Sequence, residues 1–324
     1  MRKNKFITLI AALSVAAVLT AGCGGNSGEE KPAQPSAVSQ VEGLEIEDDL
    51  GRKIVFDKKP ERIAVTSASF LEPLHEVGGE IVGRPDSKTK MPDWAKDIAS
   101  VGQVYQIDTE RLLACKPDLV IINKGMNEKL LGVLEENKIP ALVVEMKTYD
   151  DVKREIQTFA KINGNAAKGE DIVKKMDGDI QSVIDKVPKE KKRVAILHST
   201  AQGLSVQLEG SIAGNIVKMF GWENVAANMT PLEKNPDAAP YSMETLAEQN
   251  PEIIFITSMG KIEDIKANMQ KSIETNEAWQ AIGAIKNKQV YYLPQDLFLL
   301  SPGLHYPEAV RNMAELIYPD EFKN

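Results

Sequence analysis

Cysteine occurs only twice in this 324-residue chain, at positions 23 and 115, and histidine only three times, at 75, 198 and 305. Two thiols allow one disulfide at most. The first lies in an N-terminal segment that reads as an address, so Cys115 is left without a partner. Cys115 falls in an amphipathic stretch just before Lys116-Pro117 and is expected to be an inert packing thiol. A naked zinc or manganese ion needs three or four converging imidazoles and carboxylates. His75 sits inside the helical phrase LEPLHEVGG, which leaves one pair, His198 and His305, in the second half of the chain. Cationic excess is also absent: Lys and Arg number 39 against 47 Asp and Glu, a formal charge of −8. Three of those cations lie in the first 22 residues, leaving 36 against 47, or −11, for the remainder. A surface of that sign argues against nucleic acid, whose phosphates need a cationic stripe. Catalytic phrases are missing too. No GxGxxG follows a strand, and GxxxxGK[ST], GxSxG and HExxH do not occur, so no enzymatic activity is expected.

What is present begins with a leader. MRKNKF is a basic n-region and ITLIAALSVAAVLT an apolar h-region, too short for a comfortable membrane span. The junction Leu19-Thr20-Ala21-Gly22-Cys23 resembles a bacterial lipobox, with Thr20 where a branched aliphatic is usual. Residues 1–22 therefore read as a lipoprotein signal peptide, and Cys23 as the acylated first residue of the mature chain. GGNSGEEKPAQPSAVSQ follows, a Gly-, Ser-, Pro- and Glu-rich flexible tether over 23–41.

The remaining chain says one thing twice. TERLLACKPDLVII (Thr109 to Ile122) returns 134 residues later as METLAEQNPEIIFI (Met243 to Ile256), each with Glu second, Leu fourth, Pro ninth, an acid tenth and then an apolar run. Upstream of each lies a β-branched strand signal, ERIAVTSAS and KRVAILHST, leading to a helical stretch, FLEPLHEVGG or SIAGNIVKMFGW. Strands alternating with helices predict two Rossmann-like α/β lobes with parallel sheets, over 42–164 and 189–324. Between them, AAKGEDIVKKMDGDIQSVIDKV carries apolar residues at helical spacing and meets Pro188. It predicts one long connecting helix over 165–188, a stiff strut beside a ligand cleft between the lobes. Ligands of open parallel sheets bind beyond the strands' carboxyl ends. Candidates there are Ser67, Arg84, Trp94, Tyr105, Met126, His198, Tyr241, Met259, Phe298 and His305: aromatics and soft Met for a bulky organic body, Arg84 for carboxylates.

The lipobox, the tether, DDLGRKIVFDKKPERIAV, VG…DTERLLACKPDLVI and the final KNKQVYYL…SPGLHYPEAVRNMAELIYP together resemble the substrate-binding proteins of bacterial ABC importers for iron-siderophores, haem and cobalamin. The resemblance runs from Glu42 to about Pro319 and implies a periplasmic-binding-protein fold with a rigid inter-lobe helix. It further implies a monomer that is lipid-anchored outside the cytoplasm, on a Gram-positive surface rather than in a periplasm. Its partner would be a permease dimer with its ATPase subunits. In that family one surface Glu on each lobe docks on Arg residues of the two permease subunits, and the matching positions are Glu110 and Glu244. A pseudo-twofold protein on a dimeric partner should offer the same contact twice. Each Glu also complements its own helix N-terminus.

No resident cofactor is expected; the ligand is expected to be a small-molecule metal complex. Stretches such as IVGRPDS and NEAWQAIGAIKNKQVYYL resemble haem-binding lipoproteins of Gram-positive surfaces. Their axial Met and His correspond here to Gln103 or Tyr105 and to Ser258, so the customary pair is missing. Haem would need Tyr105 as a phenolate ligand, or His198, His305, Met126 or Met259. A ferric siderophore needs no protein ligand on iron, and a corrinoid would want more than the chain's 6% aromatics supply. The order is ferric siderophore, then haem, then corrinoid. A surface receptor or adhesin without a transporter is the rival class, and the doubled Glu phrase counts against it.

Overall fold

The computed structural model describes residues 41–87, 91–200 and 203–323. The expected signal peptide, Cys23 and the tether up to residue 40 lie outside the described residues. Val41, expected at the tether's end, is 1% exposed and packs into the core. No helix among the described residues is long and apolar enough to cross a membrane.

An antiparallel hairpin, β1 (Leu44–Glu47) and β2 (Lys53–Phe56), leads in. Asp48 pins it to the first lobe by accepting from Arg52 and from the backbone N–H of Val143. That lobe comprises β3 (Ile63–Val65), α1 (Leu71–Glu76), β4 (Ile81–Asp86), β5 (Ala99–Gln103), β6 (Gln106–Ile107), α2 (Thr109–Ala114), β7 (Leu119–Asn123), α3 (Leu131–Glu136) and β8 (Ala141–Val144). The sheet order is β8-β7-β3-β4-β5-β6, parallel throughout except at β5–β6. The chain leaves β3 toward β4 and β5 on one side and later fills β7 and β8 on the other. The carboxyl end of β3 is thus a topological switch point, where such sheets open a crevice.

Two antiparallel helices follow, α4 (Tyr149–Ile162) and α5 (Ala166–Ile184). A capping box between Thr148 and Asp151 starts α4. α5 is the helix expected over 165–188; it ends at Ile184, before Pro188. The second lobe contains β9 (Arg193–Thr200), β10 (Gly203–Gln207), α6 (Ile212–Met219), β11 (Glu223–Asn224), β12 (Ala238–Pro240), α7 (Met243–Gln249) and β13 (Ile253–Ser258). α8 (Ile262–Thr275), α9 (Glu277–Ala281), α10 (Gly283–Lys286), β14 (Val290–Tyr292), α11 (Gln295–Phe298) and α12 (Tyr306–Ile317) complete it. β9, β13 and β14 are parallel, but β10 and β12 add antiparallel strands at one edge. The first strand of this lobe therefore turns back as a hairpin before its helix. GLSVQ supplies that strand, where a direct passage to helix is expected from the sequence.

Alternation within the strands decides where the cores form. Ile63, Val65, Leu119, Ile121, Leu142 and Val144 face one cluster, whereas Ala64, Val120, Ile122 and Val143 face another. In the second lobe Val194, Ile196, Ile253 and Phe255 join that same first cluster, while Ala195, Leu197, Ile254 and Ile256 line a third. One face of each sheet thus contributes to a single apolar layer shared with α1, α4, α5, α6 and α12. Polar ties reinforce it. Asn215 Oδ1 on α6 accepts from the Tyr149 backbone N–H at 3.0 Å and from the Tyr306 hydroxyl at 2.9 Å, and the two Tyr rings lie 5.3 Å apart. On the opposite side, Ser69 donates to the Ser301 carbonyl at 2.8 Å.

Two predictions come from this layer. Gly169 brings α5 onto α4 so closely that a Cβ there would lie 2.5 Å from Ala160 Cβ. Gly169→Leu should cost about 3 kcal/mol by overpacking, seen as a lower urea midpoint; an unchanged midpoint would mean the helices part freely. The second concerns His305, whose Nε2 meets Glu72 of the first lobe at 2.7 Å and whose Nδ1 meets Glu308 at 2.9 Å. The Glu72 hydrogen bond, against burial and with help from Glu308, raises the imidazole from 6.5 to about 9, and the same bond lowers Glu72. Because the folded value is the higher one, the stabilisation is complete below pH 6.5 and is lost as pH rises through about 9. At the acid end it fades as pH falls below the ordinary Glu value of 4.5 and through the lowered folded one. The thermal-stability advantage of the native chain over His305→Gln should therefore shrink between pH 6.5 and 9.5; a constant difference would break the assignment.

Candidate functional site

The carboxyl ends of the two sheets face each other across a cleft of about 620 Å³. Ser67 stands at the end of β3, 2% exposed, with its hydroxyl accepting from the Ser69 N–H. The backbone N–H of Asn123, at the end of β7, is fixed by Thr66 Oγ1 at 2.9 Å. After Asn123 come Lys124, Gly125 and half-exposed Met126; the loop is held by Glu128, which accepts from the Gly125 N–H. Glu145, Met146 and Lys147 project after β8. The facing wall is built from His198 on β9, Ser205 and Gln207 on β10, residues 234–237 with Ala238 at the start of β12, and Phe298 at the end of α11 with Leu299 to Ser301 after it.

Charge in the cleft is arranged in a chain. Lys124 reaches Glu145 at 3.3 Å, Glu145 reaches Lys147 at 2.7 Å, and Lys147 crosses to Asp237 of the second lobe. Burial pulls Lys147 down, yet the Asp237 and Glu145 carboxylates outweigh it and hold the ammonium above its ordinary value. Burial pushes Glu145 up, and the two lysines more than reverse that. Glu128 and Lys234 complete the set, so three lysines stand against three carboxylates and the lining is formally neutral. Among the described residues Lys234 forms no ion pair and Gln207 Oε1 has no hydrogen-bond donor.

His198 is of another kind. Its Nδ1 lies 2.9 Å from Thr257 Oγ1, the residue beside it on β13, and burial lowers its pKa from 6.5, so the ring is neutral at physiological pH. No three His, Cys, Asp or Glu side chains among the described residues converge as a metal cage.

Of the ten candidates read from the sequence, the cleft gathers Ser67, Met126, His198 and Phe298. The other six lie elsewhere, each for a physical reason. The Arg84 guanidinium is consumed by the Ala95 and Lys96 carbonyls at 2.8 and 3.1 Å, with Asp86 at 3.6 Å. Trp94 stacks on His75 with ring centroids 3.9 Å apart, and Tyr241 stacks on Trp279 at 6.3 Å. Tyr105 is 63% exposed in the turn between β5 and β6, off the cleft lining. Met259 lines a separate crevice of the second lobe with Leu204 and Ile265. His305 faces a neighbouring cavity of about 480 Å³ that meets the cleft at Ser69, Leu300 and Ser301. Sequence reasoning missed Lys124, Glu145, Lys147, Lys234 and Asp237. The first three lie within three residues after the strands LVIIN and ALVV, and the carboxyl-end rule applied to every strand, rather than to aromatics and Met, would have found them.

The repeated phrase folds the same way twice. Asp108 and Ser242 cap α2 and α7, and Glu110 and Glu244 occupy the second helical position of each. Lys116 and Asn250, with φ of 47° and 43°, turn the chain into the following Pro. The acid after that Pro is structural: Asp118 accepts from the N–H of Glu61 and Arg62, and Glu252 from that of Arg193. Glu110 and Glu244 have no such use; both are exposed, and neither forms an ion pair among the described residues. Both stand where a helix leaves the carboxyl-end side of its sheet, the side of the cleft.

Comparison with known proteins bears on the whole arrangement. The family model described as "Periplasmic binding protein" matches residues 63–297. The ABC transporter substrate-binding lipoprotein YvrC of Bacillus subtilis is 26% identical over 323 residues, covering 97% of either chain. The Fe(3+)-citrate-binding protein YfmC of the same organism is 26% identical over 333 residues, covering 97% of this chain and 98% of its own. The crystal structure of an ABC transporter substrate-binding protein from Listeria monocytogenes superposes with a TM-score of 0.72 at 26% identity, over 81% of this chain and 100% of that one.

Proposed function

Because the chain belongs to the periplasmic binding protein family, we propose that it is the extracytoplasmic substrate-binding lipoprotein of an ABC importer, and that it captures a ferric siderophore or a related iron chelate between its lobes. The observation that carries this reading is the cleft: two sets of strand ends facing each other across a polar, charge-balanced space. The Fe(3+)-citrate-binding relative supports iron chelates as the cargo class. Charge narrows the class. Two unit charges about 4 Å apart interact by about 4 kcal/mol at an effective dielectric of 20. A tri-anionic tris-catecholate would meet Glu128, Glu145 and Asp237 with only Lys234 unpaired to receive it. A chelate of low net charge, such as a ferric hydroxamate, avoids that cost. Haem is the second reading, favoured by the neutral imidazole of His198 in the cleft wall. Phe70 and Phe298 alone give a corrinoid few aromatic edges.

Delivery uses Glu110 and Glu244. Each is an exposed carboxylate at a helix start, with its repeat partner at the same place on the other lobe, and suits cationic pockets on two permease subunits. Cys23 carries the lipid that holds the chain at the membrane.

Two measurements test this. Calorimetric titration of the chain should give tighter binding of a ferric hydroxamate than of a ferric tris-catecholate, by tenfold or more; the reverse order would overturn the charge argument. Reversing both docking acids, Glu110→Arg with Glu244→Arg, should abolish iron uptake by cells while leaving chelate affinity within about twofold. A comparable loss of affinity would put those residues in the cleft instead.

A further inference from the structure

The three histidines have been put to three different uses. His75 is covered by Trp94, and both ring nitrogens of His305 are taken by carboxylates. His198 has one nitrogen engaged and one not. Its Nδ1 partner, Thr257 Oγ1, is 1% exposed and lies 3.3 Å from the Leu197 carbonyl, to which its single proton goes. A hydroxyl that spends its proton on a carbonyl can only accept from the ring. The proton of the neutral imidazole is therefore on Nδ1, and Nε2 carries the lone pair. Among the described residues Nε2 has no protein partner and no carboxylate perturbs the ring, and the side chain lines the cleft.

That is the arrangement of a metal-ligating histidine before its metal arrives: one nitrogen oriented by a hydrogen bond, the other free as a donor. We propose that His198 Nε2 binds the iron of the captured complex, and hence that the cargo leaves at least one coordination position on iron open. The inference rests on the iron-complex reading of the cleft. The step is a ligand exchange: Nε2 donates its pair to ferric iron, a bound water leaves, and no electron is transferred. A hexadentate siderophore offers no such position, whereas haem and partly saturated ferric chelates such as ferric citrate do. Thr257, which holds the ring and does not itself line the cleft, acts as a positioning residue.

The test titrates the full chain with hemin, with ferric citrate and with a hexadentate ferric tris-hydroxamate, following absorbance and calorimetry. The native chain should give an imidazole-type Soret band with hemin. His198→Ala should lose that band and bind hemin and ferric citrate tenfold or more weakly, and added imidazole should restore the band. Thr257→Val should weaken both by roughly tenfold, the size of effect that loss of an orienting hydrogen bond has on metal affinity. Affinity for the saturated tris-hydroxamate should stay within twofold in every variant. His198→Gln, which keeps a polar side chain of similar length, guards against a folding defect in the Ala variant and should behave like it. Hemin or ferric citrate bound equally by the native chain and both His198 variants, with the same spectrum, would overturn the proposal and leave the iron reading standing. Binding of the tris-hydroxamate alone would do the same. Failure of the native chain to bind any of the three would sink both.

Discussion

The packing of α4, α5 and α12 against one face of both sheets is the constraint from which the rest of the molecule follows. Strand alternation sends Ile63, Val65, Leu119 and Ile121 of one lobe, and Val194, Ile196, Ile253 and Phe255 of the other, into the same apolar layer. Separating the lobes would uncover the junction of α5 with α12, where Tyr306, Val310 and Met313 are fully buried. At roughly 2 kcal/mol for each such side chain, three amount to about 6 kcal/mol, which would hold a widely opened form below about one molecule in ten thousand. The Asn215 hydrogen bonds to Tyr149 and Tyr306 would be lost as well. A stiff connecting helix is therefore only part of the reason for rigidity; the helix is one wall of a core that both lobes own.

A cleft with fixed walls must discriminate through its lining, not through closure. The lining here is half spent on itself. Lys124, Glu145, Lys147 and Asp237 neutralise one another across the gap, so each of these half-buried charges has a partner. An incoming chelate must compete with those pairs or leave them alone, and a cargo of low charge can do the latter.

Much of the fold was legible in the sequence because its signals are local and repeated. Alternating strand and helix signals mark two α/β lobes, and the apolar spacing in AAKGEDIVKKMDGDIQSVIDKV marks α5. The β9–β10 hairpin was not legible, because GLSVQ is short and weakly apolar and gains its strand character from pairing with Leu197 to Thr200. The cleft was legible only in part, for the same reason of scale. Whether Arg84 reaches a ligand or two carbonyls depends on where the 93–96 turn lies, and whether Trp94 faces the gap depends on His75. Composition draws attention to rare large side chains, while lysines and carboxylates, common everywhere, turned out to line the space.

The repeat shows how duplication and divergence divide the molecule. Within the doubled phrase, the cap, the left-handed residue before Pro and the acid after it are all consumed by the lobe's own folding, and this explains their recurrence without any partner. The Glu at the second helical position complements its helix N-terminus but forms no ion pair among the described residues. That exposed recurrence is what supports the docking role proposed for Glu110 and Glu244. The cleft is the opposite case: one lobe supplies two lysines, two carboxylates and two thioethers, the other a neutral imidazole, one lysine and one carboxylate. An asymmetric small molecule has no reason to see the same surface twice, and the symmetry kept at the two exposed helix starts is absent from the cleft lining.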